Sequence, residues 1–299
     1  MTSAPVTTPN ASLTATLPSP HPFWLQTLRR IRRDRAGLVG LIILCLLLGA
    51  ATFAGVLAPF DPLAIGVGMP FSPPSSVHPF GTDDLGRDVF SRVLYGSRVS
   101  LRVALLSVSA ALIVAIPLGL IAGYFGGVID SVISRLFDTI FAFPAILIGI
   151  GFVAVLGPDL QNVIIAVAII NVPTMGRLVR ATVLAQKDQD YVEAIRAAGA
   201  STPRITLRHI LPNALPPLFV QVALAAGEAV LLEAAFSFLG LGSRPPTPSW
   251  GAMLNEGRRF LDRAPWLGIF PGLAITLMIF GLNSLGDGLR NAVDPRRWE

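Results

Sequence analysis

Uncharged apolar stretches alternate with short, arginine-bearing polar segments along most of the chain. No charged side chain occurs in Gly37 to Ala58, Val103 to Gly123, Thr139 to Gly157, Leu160 to Gly176 or Ala264 to Gly286, and Ala214 to Gly242 is interrupted only by Glu228 and Glu233. Runs of this kind approach the ~20 residues a helix needs to cross a hydrocarbon layer roughly 30 Å thick. Upstream of Thr139 apolar residues keep helical spacing back to Asp130, so the third run begins there. The pattern predicts an all-α integral membrane protein with six transmembrane helices, over residues 37–58, 103–123, 130–157, 160–180, 214–242 and 264–286. Pro144, Pro173, Pro216, Pro217 and Pro271 fall within or beside these runs, where neighbouring helices can satisfy the backbone groups a proline frees.

Residues 1–22, rich in Thr, Ser, Pro and Ala without periodicity, predict a disordered tail ahead of a membrane domain over residues 23–299. Arg29, Arg30, Arg32, Arg33 and Arg35 then precede an apolar run longer than the roughly 7–15 residues of a signal peptide, which predicts a retained first span. With this basic stretch inside, six spans place both termini in the cytoplasm, the side on which basic residues are the more numerous. The first outer segment, 59–102, begins Pro-rich. From Asp88 to Arg102 it carries Val89, Phe90, Val93 and Leu94 on one helical face, which predicts a helix lying at the membrane surface.

Composition narrows the function classes. Of 299 residues, 53% are hydrophobic and 14% charged, with mean hydropathy +0.65, whereas soluble domains carry about 25% charged residues. The formal charge of +5 does not point to nucleic acid, because the arginines flank apolar runs where they orient spans and meet anionic lipid headgroups. Cys45 is the only cysteine, which removes disulfide frameworks and cysteine metal sites. His21, His78 and His209 are far apart and read as solvated or capping residues, so no metal site is expected. The one lysine, Lys187, is followed by Asp188. A phosphate-binding loop needs Gly-Lys followed by Ser or Thr, so any ATP must be hydrolysed by a partner.

The loop 187–212 carries the densest local signals. Asp190 is suited to cap a helix, Glu193 follows three residues later as in a capping box, Ala194, Ala197 and Ala198 favour helix, and Gly199 is a natural stop. Thr202 and Pro203 then read as the N-cap and first position of a second helix. The expected product is two short cytoplasmic helices joined by a turn at Gly199. Elsewhere, Glu228 and Glu233 are the only carboxylates deep in a span, where an unpaired charge costs at least about 2.5 kcal/mol, so they should face protein or water. Five residues apart, they point about 140° from each other and do not read as one acid–base pair.

Glu193-Ala194, Gly199 and Leu211-Pro212 resemble, in type and spacing, the "EAA" loop of ABC importer permeases, with Ile195 at the third motif position and His209 where the motif has isoleucine. Gly81-Thr82-Asp83-Asp84-Leu85-Gly86-Arg87-Asp88, Phe236-Ser237-Phe238-Leu239-Gly240-Leu241-Gly242 and Pro248-Ser249-Trp250-Gly251 are similar to segments of the C-type permease subunit of dipeptide, oligopeptide and nickel importers. The resemblance covers roughly residues 25–299 and implies a type I importer fold. It also implies docking of Asp190, Tyr191, Glu193, Ala194, Arg196, Ala197, Ala198, Gly199 and Pro212 on an ATPase subunit, a second permease, two ATPase subunits that bind ATP and Mg, and an extracytoplasmic solute-binding protein. Cargo would be short peptides, or nickel. Glu228 and Glu233 would face the translocation path or the permease interface. The outer motif at Gly81, Thr82, Asp83, Gly86, Arg87 and Asp88 reads either as a cap on the following helix or as a substrate contact. An ion-coupled secondary transporter, and a membrane enzyme, are the readings of other classes.

Overall fold

The computed structural model describes residues 34–244 and 246–293. The expected tail 1–22, His21, Arg29, Arg30, Arg32, Arg33, Arg296 and Arg297 lie outside the described residues. In chain order the main helices are α1 (Arg35–Thr52), α2 (Ala54–Leu57), α3 (Val89–Phe125), α4 (Gly127–Phe141), α5 (Ala145–Leu156), α6 (Leu160–Gln186), α7 (Asp190–Ala197), α8 (Thr202–Arg204), α9 (Leu211–Phe238), α10 (Trp250–Gly257) and α11 (Trp266–Val293). A π-helical turn, Ile205–Ile210, joins α8 to α9, so that Thr202–Phe238 runs as one 37-residue helical stretch. Among the described residues, five stretches are long and apolar enough to cross a membrane, and the bent pair α4 and α5 makes a sixth when counted as one span.

Two expectations change. The third span was expected as a single helix over 130–157, but α4 and α5 meet at 87°. Pro144 offers no N–H and disfavours helical geometry at Phe143 before it, so α4 stops and Pro144 starts a new helix from an extended conformation. At 15 and 12 residues, the two pieces are only about 22 and 18 Å long, and neither crosses a bilayer alone. Likewise, Asp88–Arg102 is not a separate surface helix. It is the first part of α3, continuous to Phe125, with Val89, Leu94 and Arg92 buried. Arg92 can be enclosed because an acceptor meets it, Glu256 at 3.1 Å, whereas Arg98 stays exposed while donating to the Ala51 carbonyl at 2.6 Å.

Small residues set the packing. Ser107, Ala111, Ala115, Gly119 and Gly123 recur every fourth position on α3 and are all buried, forming one ridge against α6. A Cβ on Gly119 would lie 2.6 Å from the Gly176 carbonyl oxygen, and one on Gly123 2.6 Å from Val183 Cβ. Helices surrounded by lipid gain little from hydrophobic exclusion, so this close backbone approach supplies the dispersion contact that holds the pair. At the other side of the bundle, Gly40 of α1 and Gly288 of α11 allow the same approach between those helices. Two apolar cores result. One joins α3, α6 and α9 and includes Phe137 and Phe236; the other joins α3, α10 and α11 around Trp250 and Met278.

Candidate functional site

At the N-terminal end of α3 the outer motif folds into a closed polar knot. Thr82 and Asp88 form an isolated antiparallel bridge, and Asp88 caps α3 by accepting from the Ser91 N–H at 2.8 Å and its hydroxyl at 2.7 Å. The Thr82 hydroxyl donates to the Met69 carbonyl at 2.6 Å, and its carbonyl accepts from Trp266 Nε1 at 3.1 Å. Asp83 takes the Leu85 and Arg87 backbone N–H groups on one oxygen and Arg87 Nε on the other, at 2.5 Å. Arg87 and Arg92 both donate to Glu256 of α10 at 3.1 Å. Gly81, at φ +73°, leaves no room for a Cβ beside Trp266 and the Ser72 carbonyl. Gly86 is also left-handed, at φ +70°. Thus Gly81, Thr82, Asp83, Gly86, Arg87 and Asp88 are brought together and spend their polar groups on one another, on α10 and on α11. The cap expected of Asp88 is present, together with a wider clamp.

His78 departs from the solvated reading. Its Nδ1 is 2.9 Å from Asp88 Oδ1, its ring stacks on Phe60 at 4.9 Å, and the residue is buried. The signals that could have found this clamp were weak. Arg87 and Arg92 beside a span need a carboxylate, and the segment between α9 and α11 offers only Glu256 and Asp262. The 164-residue separation from Arg92 to Glu256 hid which of them.

The loop around α7 lies at the opposite end of the bundle, since Thr202, Pro203, Thr206 and Leu207 line a groove with Tyr124 and Phe125 at the end of α3. The N-cap of α7 is Gln189 rather than Asp190, and no side chain caps it. The capping box therefore does not form. Asp190 and Glu193 sit in the first turn, where their charge favours the positive end of the helix dipole, and Arg196 sits in the last turn. Likewise Ser201, not Thr202, is the N-cap of α8, which moves Pro203 one position inward. At the other end the stop is as read. Gly199 takes φ +81°, its N–H reaches the Arg196 carbonyl at 3.0 Å, and the Ala200 N–H reaches Ile195 at 3.3 Å, the paired bonds of a Schellman cap. The same two bonds end α9 at Gly240 and Leu241.

Helix α7 is held by one face. Val192 is fully buried, and Ile195 packs against the same core, whereas Asp190, Glu193, Ala194, Arg196, Ala197 and Ala198 are exposed, as is Pro212 at the start of α9. Tyr191 turns back toward the bundle, donating to Gln186 Oε1 at 2.7 Å and accepting from Asn213 Nδ2 at 3.3 Å. Close by, Arg180 of α6 makes a bidentate pair with Asp130 of α4, at 2.5 and 2.6 Å. This clamp holds the first half of the bent span to α6.

The structure separates the two intramembrane carboxylates. Glu233 is fully buried and accepts the Ser100 hydroxyl at 3.1 Å and the Ser237 hydroxyl at 2.8 Å, joining α9 to α3. Beside it, α10 is fixed to α3 by Trp250, whose Nε1 donates to the Val93 carbonyl at 2.9 Å. Glu228 lies instead on an exposed stripe of α9 with Leu224 and Leu231. Among the described residues, no group of three or more His, Cys, Asp or Glu side chains is placed to hold a metal ion.

Comparison with known proteins gives this geometry its context. A family model described as binding-protein-dependent transport system inner membrane component matches residues 115–299, and one described as the N-terminal TM domain of oligopeptide transport permease C matches residues 22–74. The dipeptide transport system permease protein DppC of Alkalihalophilus pseudofirmus is 46% identical over 273 residues, 91% of this chain and 90% of that protein. The glutathione transport system permease protein GsiD of Pectobacterium atrosepticum is 42% identical over 279 residues, 91% of each. Among solved structures, an inward-facing conformation of the MetNI methionine ABC transporter superposes with TM-score 0.56 at 19% identity, over 68% of this chain and 96% of that one. At that identity the likeness is one of fold.

Proposed function

As the chain belongs to the binding-protein-dependent transport system inner membrane components, the multi-pass permease subunits of ABC importers, we propose that it imports short peptides and receives the energy for this through α7. It is a transport subunit and not an enzyme. Peptide cargo is supported by relatives named for dipeptide, di/tripeptide and glutathione transport, and nickel loses its place beside them. A second permease of similar fold completes the path, two ATPase subunits bind ATP and Mg, and an extracytoplasmic binding protein delivers the peptide to the face that carries the outer knot. Both termini and α7 lie on the cytoplasmic side.

The observation that carries this reading is the exposure of α7. Its buried Val192 ties it to the core of the spans, while Glu193 and Arg196 make no ion pair with any described residue and face outward. A short helix rooted in the spans and polar on its free face is suited to fill a groove on an ATPase subunit. Closure of the ATPases on ATP would push α7 and shift the spans between inward-open and outward-open arrangements, a rigid-body change between two packings. Glu228, exposed on α9, faces the path or the second permease, whereas Glu233 serves to hold α9, α3 and α10 together.

The test is Gly199→Val. No atom lies within 4 Å of a Cβ built on Gly199, so the added Cβ meets open space. The substitution forces a β-branched residue into left-handed geometry at a cost of about 1–2 kcal/mol or more, which disturbs the turn alone. ATP-dependent uptake of a labelled dipeptide by the reconstituted importer should fall with membrane insertion intact. Full uptake by a correctly inserted variant would overturn the coupling assignment.

A further inference from the structure

We propose that Tyr191 is the positioning residue through which α7 moves α6 and α9 together. The inference rests on the reading of α7 as the helix that meets the ATPase. Its hydroxyl donates to Gln186 Oε1, on the last residue of α6, at 2.7 Å and accepts from Nδ2 of Asn213, in the first turn of α9, at 3.3 Å. One oxygen therefore links three helices. The same Asn213 Nδ2 also donates to the His209 carbonyl at 3.0 Å, so its two protons fix the amide between the turn and the tyrosine. Among the described residues, no other α7 side chain is seen to make a hydrogen bond or ion pair to a spanning helix.

The apolar contacts of α7 do a different job. Val192 and Ile195 resist separation from the core, but dispersion contacts are non-directional and allow α7 to slide or rotate against it. Hydrogen bonds are directional and fix register. Register matters here because the chain between α7 and α9 contains a break in the regular α-helical ladder, the π-helical turn Ile205–Ile210. Such turns bond i→i+5 in place of i→i+4 and are frequent at functional sites. Without a direct link, displacement of α7 would be absorbed in that turn before it reached α9. The Tyr191 hydroxyl bypasses the turn, and it delivers the same displacement to α6, which packs on α3 through the small-residue ridge. Tyr191 thus faces the spans, while Glu193 and Arg196 are left for the ATPase.

The experiment uses the complete importer in proteoliposomes, with its partner permease, ATPases and binding protein, and measures uptake of a radiolabelled dipeptide and ATP hydrolysis in the same vesicles. Tyr191→Phe keeps the ring and removes only the hydroxyl. Peptide imported per ATP hydrolysed should fall about fivefold, the worth of one directional hydrogen bond. Gln186→Leu should reproduce that fall, Gln186→Glu, which keeps an acceptor, should restore the ratio, and Tyr191→Phe with Gln186→Leu should be no worse than either alone. Wild-type ratios in Tyr191→Phe and Gln186→Leu, in a preparation where Gly199→Val abolishes uptake, would overturn the link and leave the coupling loop standing. Loss of uptake and hydrolysis in equal proportion in Tyr191→Phe would also overturn it, by marking Tyr191 as an ATPase contact. Full uptake in Gly199→Val would remove the coupling reading itself, and the link with it.

Discussion

Glu228 and Glu233 sit five residues apart on one helix, yet their surroundings predict opposite consequences of substitution. Glu233→Ala removes a fully buried side chain and the acceptor for two buried hydroxyls. The orphaned hydroxyls are the smaller loss. Ser237 and Ser100 lie in helices, where each can turn back to a carbonyl one turn earlier, and hydrogen bonds inside membrane proteins average about 0.6 kcal/mol. The vacated space at the junction of α3, α9 and α10 is the larger loss, and large-to-small changes at such positions cost about 2–5 kcal/mol. We expect Glu233→Ala to destabilise by about 2–4 kcal/mol. Glu233→Gln keeps the volume and one acceptor oxygen, and should cost about 1 kcal/mol. Glu228→Gln, on an exposed stripe, should stay within about 0.5 kcal/mol of the parent while altering the rate of peptide uptake. Thermal unfolding of the purified chain in detergent, followed by circular dichroism, with uptake measured in parallel, separates the three. A neutral Glu233→Ala, or a Glu228→Gln as damaging to stability as Glu233→Ala, would refute the assignment of one carboxylate to the fold and the other to the path or interface.

Two further outcomes follow from the packing. Gly119→Leu should displace α3 from α6, because even a Cβ would lie 2.6 Å from the Gly176 carbonyl; a loss of at least about 1–3 kcal/mol should appear as a lower yield of monodisperse protein, and a parental yield would mean that the ridge does not set the packing. Glu256→Gln leaves Arg87 and Arg92 with only Asp83 and Asp84 as carboxylate neighbours, and since the Glu256 side chain is 38% exposed the expected loss is about 1–2 kcal/mol. That loss should shrink in high salt, as screening would weaken the pair in the parent, and a loss independent of salt would place its origin elsewhere.

How much of this was legible in the sequence depended on whether a feature was local. The apolar runs announced the spans because lipid leaves a helix no choice but to be apolar over its length. The stop at Gly199 was legible because only a residue without a Cβ takes its conformation cheaply. Asp190 and Thr202 were each read one position off, since Gln189 and Ser201 can take the same extended geometry and nothing in composition decides between neighbours. The break at Pro144 was underestimated. Pro117, Pro173 and Pro271 lie inside helices that continue past them, so a proline by itself does not specify an 87° bend. The continuity of α3 was missed because its arginines looked like a polar face for solvent, when Arg92 is buried against Glu256, distant in sequence. The Tyr191 link was invisible for the same reason: Gln186 and Asn213 are ordinary residues until the fold places them beside one hydroxyl.

Transmission of ATP energy through α7 is tested most directly by proximity. A photo-crosslinking benzophenone side chain is introduced in place of Arg196, and separately in place of Thr247 in the exposed segment before α10, in the assembled importer. The expected result is a covalent product between position 196 and an ATPase subunit, altered in yield by ATP, with none from position 247. An ATPase product from position 247, and none from position 196, would contradict the role of α7.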